Sequence, residues 1–357
     1  MRSKGFDLWL LVPAGLLMAL GTVIVFTSSA YLASVKGLPE WAYFARHVAR
    51  LALALVVLVA VSLTPTKFWK EHRAKIFWAT VGLLALLLVL GKTVYGARRW
   101  ISLGFFAFQP SDLAKLALVI YLAGYVAERK RRITEFLSGF LPGLGAIAIL
   151  AGLIFLEPDV STSSLLALVG VAILFVGGVK PGQVVLLGAL SLGFLAAGVR
   201  LFPHARKRLE AFLEGASSQV TQAKIGLAEG GLFGVGPGRG KEKFLYLPKP
   251  HTDFAMAVVG EELGLLGSLG VLGLLMVIVL RGLRIASEAL LRDPFRGLLA
   301  TGAALILGVY GLAHASVVVG MLPPTGLPFP FVSYGGSALL ANSAALGLLL
   351  AVSKEVT

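Results

Sequence analysis

An ionisable group at the mouth of a membrane span is expensive and by default a functional candidate, and Asp253 is such a group. It closes the run Tyr246-Leu-Pro-Lys-Pro-His-Thr-Asp253 and precedes a long apolar stretch that starts at Phe254. An Asp at a helix start can serve as a cap, worth about 1 kcal/mol. Capping does not account for His251, Thr252 and Asp253 standing together, nor for Glu261 and Glu262 two turns further on. At the helical repeat Glu261 lies about 80° around the helix from Asp253 and Glu262 lies opposite. Glu261 is therefore expected to line the same cavity.

Five other segments carry ionisable or irregular chemistry. Gly96-Ala-Arg-Arg-Trp-Ile-Ser-Leu-Gly104 holds Arg98 and Arg99 beside Trp100, a combination that also suits an interfacial anchor. Gln109-Pro-Ser-Asp-Leu-Ala-Lys115 reads as a helix start, with Asp112 in the first turn and Lys115 three residues on, sharing one face. Glu157-Pro-Asp159 puts two carboxylates in one tight turn. The glycine-rich segment 230–243, with Arg239 and Lys241, can offer backbone N–H groups and cations to phosphates. It is not a Walker A loop, because Val235 stands where its first glycine belongs and Glu242 replaces the Ser/Thr after Lys241. Last, Pro323-Pro-Thr-Gly-Leu-Pro-Phe-Pro-Phe-Val-Ser-Tyr-Gly-Gly-Ser337 contains Ser333 and Tyr334 in backbone that cannot be helical. Such backbone is tolerated at membrane depth only against protein or a water-filled cavity. His314 is expected to bond between helices rather than to hold a metal.

The elements that position these groups follow from composition. The chain is 57% hydrophobic and 14% charged, with a mean hydropathy of +0.87. That leaves too few charges to clothe a soluble protein of 357 residues, which excludes a soluble enzyme. With no cysteine there is no disulfide, thiolate nucleophile or Cys-ligated metal. Apolar blocks at 8–33, 48–63, 76–94, 111–127, 140–156, 160–179, 182–201, 254–280, 297–321 and 335–352 read as transmembrane helices. They do not alternate as barrel strands do. The fold class is thus all-α, a polytopic membrane protein of about ten helices, in one integral membrane domain over 1–357. A long extracellular loop, 203–252, separates the seventh and eighth spans.

A net charge of +14 would suggest nucleic acid in a soluble chain. Here it fits anionic membrane lipids and the positive-inside rule, and no nucleic acid partner is expected. With both termini cytoplasmic, the inner loops carry sixteen Lys and Arg and the short outer loops six. Nine more lie at 200–249, outside, where topology gives no reason for them. Long loops translocate largely regardless of charge, so the short loops decide the orientation.

These motifs strongly resemble the SEDS family (shape, elongation, division, sporulation) of FtsW and RodA. The resemblance rests on Gly-Ala-Arg-Arg-Trp-Ile, Gln-Pro-Ser-Asp-Leu-Ala-Lys, Glu-Pro-Asp, Leu-Pro-x-x-His-Thr-Asp-Phe, Gly-Glu-Glu-Leu-Gly and Pro-Phe-Val-Ser-Tyr-Gly-Gly-Ser. They occur in the family's order from the third span to the C-terminus. The stretch from Gly236 to Pro248 and Gly260-Glu-Glu-Leu-Gly264 are more similar to the division branch, FtsW. The sequence departs from the pattern at Asp112, where Glu is usual, at Val160-Ser161-Thr162 for Leu-Gly-Thr, and at Lys249-Pro250 for Glu-x.

The resemblance implies a peptidoglycan glycosyltransferase in the bacterial cytoplasmic membrane that polymerises lipid II on the outer face. It also implies a class B penicillin-binding protein as partner. A diphosphate leaving group needs its charge met rather than a proton, so such a reaction requires one base and several cations. Asp253 is the expected base. Lys115, Arg98, Arg99, Arg239 and Lys241 are expected to hold diphosphate, with Asp112, Glu157, Asp159, His251, Thr252, Glu261, Ser333 and Tyr334 contributing to substrate binding. A divalent cation, Mg²⁺ or Mn²⁺, could share the diphosphate, though no ligand spacing demonstrates one. The alternatives are a lipid II flippase, which needs binding residues and no base, and a scaffold for the penicillin-binding protein.

Overall fold

A computed structural model describes residues 6–90, 99–102, 107–244 and 246–356. Its helices are α1 (Leu8–Val35), α2 (Ala42–Leu63), α3 (Thr66–Leu90), α4 (Pro110–Glu128), α5 (Leu141–Leu156), α6 (Val160–Val176), α7 (Pro181–Leu201), α8 (Pro203–Leu213), α9 (Ser218–Gly230), α10 (Ala255–Leu290), α11 (Pro294–Val318) and α12 (Gly336–Val356). A two-residue antiparallel ladder joins β1 (Ile101–Ser102) to β2 (Ala107–Phe108) ahead of α4. Among the described residues nine helices are long and apolar enough to cross a bilayer, and α6 is a shorter apolar helix of 17 residues. All ten expected spans are therefore present as apolar helices.

Several helices run past the limits that apolarity alone sets. α2 begins at Ala42, α3 at Thr66, and α10 continues to Leu290. Each extension carries Lys or Arg, residues whose long apolar stems allow a charge at a helix end to reach a polar boundary. The segment 203–252 also differs from a plain loop, since it folds into α8 and α9.

α4, α11 and α12 form the centre. The apolar stretch of α12 is 89% buried, whereas that of α7 is 11% buried, which puts α7 on the lipid-facing periphery. α4 starts as its sequence requires, with Pro110 in the first turn, where a missing N–H costs nothing.

α10 is interrupted at Gly264, whose φ of 71° belongs to the left-handed region. The glycine-rich segment fills the break. Val235 and Gly236 N–H groups donate to the carbonyls of Glu261 and Glu262, each at 3.0 Å. Leu265 and Leu266 donate to the carbonyls of Gly231 and Leu232, at 2.9 and 3.2 Å. Backbone groups freed by the break are thereby satisfied inside the protein, as an apolar surrounding demands. Gly234 has φ 83°, and a Cβ there would overlap the Glu262 carbonyl.

Candidate functional site

The segment before α10 and the irregular stretch before α12 meet at one end of the bundle. The Lys249 carbonyl accepts from the N–H groups of Thr252 and Asp253, both at 3.2 Å, in a tight turn. Tyr334 N–H donates to the His251 carbonyl at 2.7 Å, which ties the two segments together. Between them opens a cleft of about 350 Å³. His251, Thr252, Asp253, Lys249, Asp112 and Tyr334 line it, with Gln109, Trp100, Lys36 and Tyr43 completing its polar wall.

Asp253 is half-buried and caps nothing: Phe254 holds the N-cap position of α10, and no side chain bonds there. Burial pushes its carboxyl above the usual 3.8, opposed by Lys249, a hydrogen bond from Thr252, and Arg208. Burial also holds His251 down to about 4, with Lys36 and Lys249 adding to the effect. His251 is therefore neutral at pH 7, and Asp253 is the carboxylate of this cleft whose pKa burial raises. The Tyr334 ring packs against His251 and Tyr43, with the Arg50 guanidinium 4.6 Å from its centre.

Asp112 reaches the cleft from the first turn of α4. Lys115 lies behind it, buried, donating to the Asp112 carboxylate at 2.6 Å and standing 4.0 Å from the Tyr310 ring centre. Arg99 takes a different position. Its guanidinium donates to the Glu157 carbonyl at 3.0 Å and to the Pro158 carbonyl, and lies 3.8 Å from Asp159. Asp159 caps α6 by accepting from Thr162 N–H at 3.2 Å, and also accepts from the Gln109 amide at 3.4 Å. Glu157 is fully buried, and neither carboxylate oxygen has a partner among the described residues. Burial, then Asp159, pushes its carboxyl up to about 8, opposed by Arg99. Arg98 lies outside the described residues.

Glu261, Lys241, Arg239 and Ser333 also fall away from the cleft. Glu261 does not line it; its carboxylate accepts from the backbone N–H groups of Lys241 and Glu242 and so anchors the glycine-rich segment. Helical periodicity misplaced it because the Gly230–Lys243 segment occupies that face. Lys241 is exposed and directs its ammonium toward Glu229, 3.8 Å away, while Arg239 sits in the turn begun by Gly236. The segment's N–H groups at 235, 236, 241 and 242 already bond to α10, so they are not a phosphate cradle. Ser333 closes its own turn by accepting from Phe329 N–H at 2.8 Å. His314 bonds between segments as expected, Nδ1 to the Leu327 carbonyl at 2.7 Å.

The reading by motif missed Lys36, Tyr43 and Arg50. Tyr43, His47 and Arg50 recur at three- and four-residue spacing at the start of α2, a polar stripe on a membrane helix. That stripe was the available signal.

As for a metal, no group of three His, Asp or Glu among the described residues could hold one. Asp253 and Asp112 are the carboxylates lining the cleft, and Asp112 is already bonded to Lys115.

Fold and cleft together define a polytopic membrane protein with a half-buried carboxylate at the mouth of its helical bundle. Residues 8–357 match the model of the FtsW/RodA/SpoVE family, described as cell cycle proteins, and the chain belongs to that family. Its relatives include the probable peptidoglycan glycosyltransferase FtsW of Coxiella burnetii, 37% identical, the match covering 99% of this chain and 97% of the relative. The FtsW of Geobacter sulfurreducens, given the same name, is 33% identical, covering 98% and 96%. Among solved structures, a chain from a peptidoglycan synthase complex that coordinates polymerization and crosslinking aligns with TM-score 0.80 at 28% identity, covering 99% of this chain and 98% of that one. The rod shape determining protein RodA of Thermus thermophilus aligns with TM-score 0.74 at 27% identity, covering 98% and 97%.

Proposed function

We propose that this protein is a peptidoglycan glycosyltransferase that polymerises lipid II into β-1,4 glycan strands, with Asp253 as the general base. The observation that carries the reading is the cleft itself, where one carboxylate of raised pKa stands beside Lys249 and Lys36. Asp253 takes the proton of the acceptor hydroxyl as that oxygen attacks the anomeric carbon of the donor sugar. The bond from that carbon to the diphosphate oxygen breaks, and undecaprenyl diphosphate leaves with the electron pair. In-line displacement inverts the α-linked donor to a β-linked product. Lys36 and Lys249 meet the charge that develops on the leaving diphosphate. Asp112, held by Lys115, orients the acceptor, and Tyr334 with His251 forms the aromatic side of the sugar site. No step is routed through a metal ion, because the cleft's carboxylates do not gather into a ligand set.

The protein would lie in the bacterial cytoplasmic membrane with both termini inside and Asp253 at the outer face. The similarity to a chain of a solved peptidoglycan synthase complex supports a class B penicillin-binding protein as partner. The direct test is purified protein with labelled lipid II, alone and with its cognate transpeptidase, resolved on a gel. A ladder of glycan chains is expected; movement of lipid II across vesicle membranes without any ladder would replace the polymerase with a flippase. Sidedness is checked by single cysteines in a chain that has none of its own. Cysteine at Gly238 should react with an impermeant maleimide in spheroplasts and cysteine at Arg131 should not; the reverse pattern would turn the molecule over.

A further inference from the structure

The turn that joins α4 to α5 carries Arg129, Lys130, Arg131 and Arg132 in succession. Together with Glu128 and Ser138 they line a cavity of about 610 Å³. α4 has 19 residues, and Asp112 in its first turn lines the Asp253 cleft. A helix of that length spans about 28 Å, nearly the thickness of the hydrocarbon core. The cavity therefore lies at the membrane surface opposite the cleft.

Positive charge at a membrane surface is ordinary, but at this end of the bundle much of it is paired. Arg281 meets Asp7, Arg296 meets Glu355 and Lys67 meets Glu71. In the α4–α5 turn both carboxylates are engaged by other groups: Glu128 accepts from Arg73 at 2.5 Å, and Glu135 accepts from the Ser138 hydroxyl. The Arg129 guanidinium stands 4.5 Å from the Tyr125 ring centre. Lys130, Arg131 and Arg132 are exposed and, among the described residues, pair with no carboxylate.

The turn that presents them is fixed. Tyr125 donates its hydroxyl to the Gly139 carbonyl at 2.6 Å, and Ile133 and Phe140 are buried beneath the cations. Gly139 packs so closely on the Arg132 carbonyl that a Cβ would overlap it. The chain then makes one π-helical turn, Phe136–Phe140, which leaves Phe136 and Leu137 exposed. Uncompensated cations thus stand beside two outward apolar side chains at headgroup level. That pairing suits an anionic lipid, whose phosphates meet the cations and whose acyl chains begin beside the apolar residues. One phosphodiester would offset a single charge. Two joined phosphodiesters offset two and give several guanidinium forks an oxygen each.

We infer that this cavity binds a two-phosphate phospholipid, a diphosphatidylglycerol, in the leaflet opposite the Asp253 cleft. Lys130, Arg131 and Arg132 hold its phosphates, and Phe136 and Leu137 lie against its acyl chains. The site stands apart from the polymerase reading and does not depend on which surface is cytoplasmic.

The test is binding of diphosphatidylglycerol to the purified full-length protein by native mass spectrometry, with phosphatidylglycerol, inorganic diphosphate and a polyglutamate peptide as the other probes. One variant combines Lys130→Gln, Arg131→Gln and Arg132→Gln, and a second is Leu137→Ser, all at exposed positions. A control removes the same charge from exposed positions at the same end, through Lys67→Gln, Lys75→Gln and Arg284→Gln. Thermal unfolding of each preparation confirms that it is folded. Wild type and control should bind one diphosphatidylglycerol at least about tenfold more tightly than phosphatidylglycerol. The triple variant should lose binding by on the order of a hundredfold, at about fivefold per cation, and Leu137→Ser by a few fold. Equal losses in the control would reduce the cavity to the general field of the surface and overturn the site. Phosphatidylglycerol binding as tightly as diphosphatidylglycerol would remove the two-phosphate reading, and inorganic diphosphate competing as well as the lipid would remove the lipid. Polyglutamate bound in preference to either lipid, and lost in the triple variant, would make the cavity a dock for an acidic protein instead. Wild-type binding by the folded triple variant would end the proposal.

Discussion

Among the described residues two Lys–carboxylate pairs are buried, and they differ in what surrounds them. Lys115 and Asp112 sit one turn apart on α4, 2.6 Å from each other, with Asp112 exposed to the cleft that holds Asp253. Lys243 and Glu262 are 3.0 Å apart and join the glycine-rich segment to the broken helix α10, with Thr27 donating to the same carboxylate at 3.1 Å. Neither member of the second pair lines the cleft. A buried ion pair is weak evidence of stabilisation, because desolvation offsets the attraction. It is equally weak evidence of chemistry. What separates the pairs is the cavity beside them: one organises a reaction site and the other clamps a backbone break.

Between the two pairs, the largest expected effect comes from neutralising each as a unit. Asp112→Asn with Lys115→Met leaves no unpaired charge, so stability should change little, yet polymerisation should fall by about 10²-fold through misplacement of the acceptor. Lys243→Met with Glu262→Gln should keep most of the activity. Equal losses in a lipid II gel assay would erase the distinction between the pairs.

Single substitutions should then show what the clamp holds. Lys243→Met alone leaves Glu262 charged and buried, at a cost of about 3–5 kcal/mol in thermal unfolding, and adding Glu262→Gln should restore most of it. No rescue by the second substitution would mean that Lys243 contributes packing rather than charge.

The smallest effect concerns Glu157, a buried carboxylate whose oxygens have no partner among the described residues. Its carboxyl is raised from 4.5 to about 8 in the folded protein. The folded state therefore holds a proton that the unfolded chain has released. The resulting stability is fully present below pH 4.5 and is lost progressively as pH rises toward 8. Glu157→Gln removes this dependence, so its melting temperature relative to wild type should rise between pH 5 and pH 8. A constant difference across that range would mean that Glu157 is paired.

Much of this arrangement was legible in the sequence. The apolar blocks gave ten helices because a bilayer leaves little choice of backbone, and Pro110 marked the start of α4 with Asp112 in its first turn. His314 as a bond between segments was legible too. The break in α10 was not. Gly260-Glu-Glu-Leu-Gly264 reads as uninterrupted helix, and only contact with the distant Gly230–Gly236 stretch opens it at Gly264. Because the glycine-rich segment packs on that face of α10, Glu261 was misplaced, and the segment looked free to cradle a phosphate. The separation of Arg99 from the Asp253 cleft also escaped notice, since neighbours in sequence, Arg99 and Trp100, face different cavities.

The central claim is that Asp253 removes a proton rather than shaping the fold. The most direct measurement is polymerisation of labelled lipid II by purified Asp253→Asn, with substrate binding and thermal unfolding measured on the same preparation. Asp253 caps no helix, so stability should be nearly unchanged and lipid II should still bind, while the rate falls by about 10²–10⁴-fold. Glycan chains formed by the Asn variant at a rate near wild type would contradict the account.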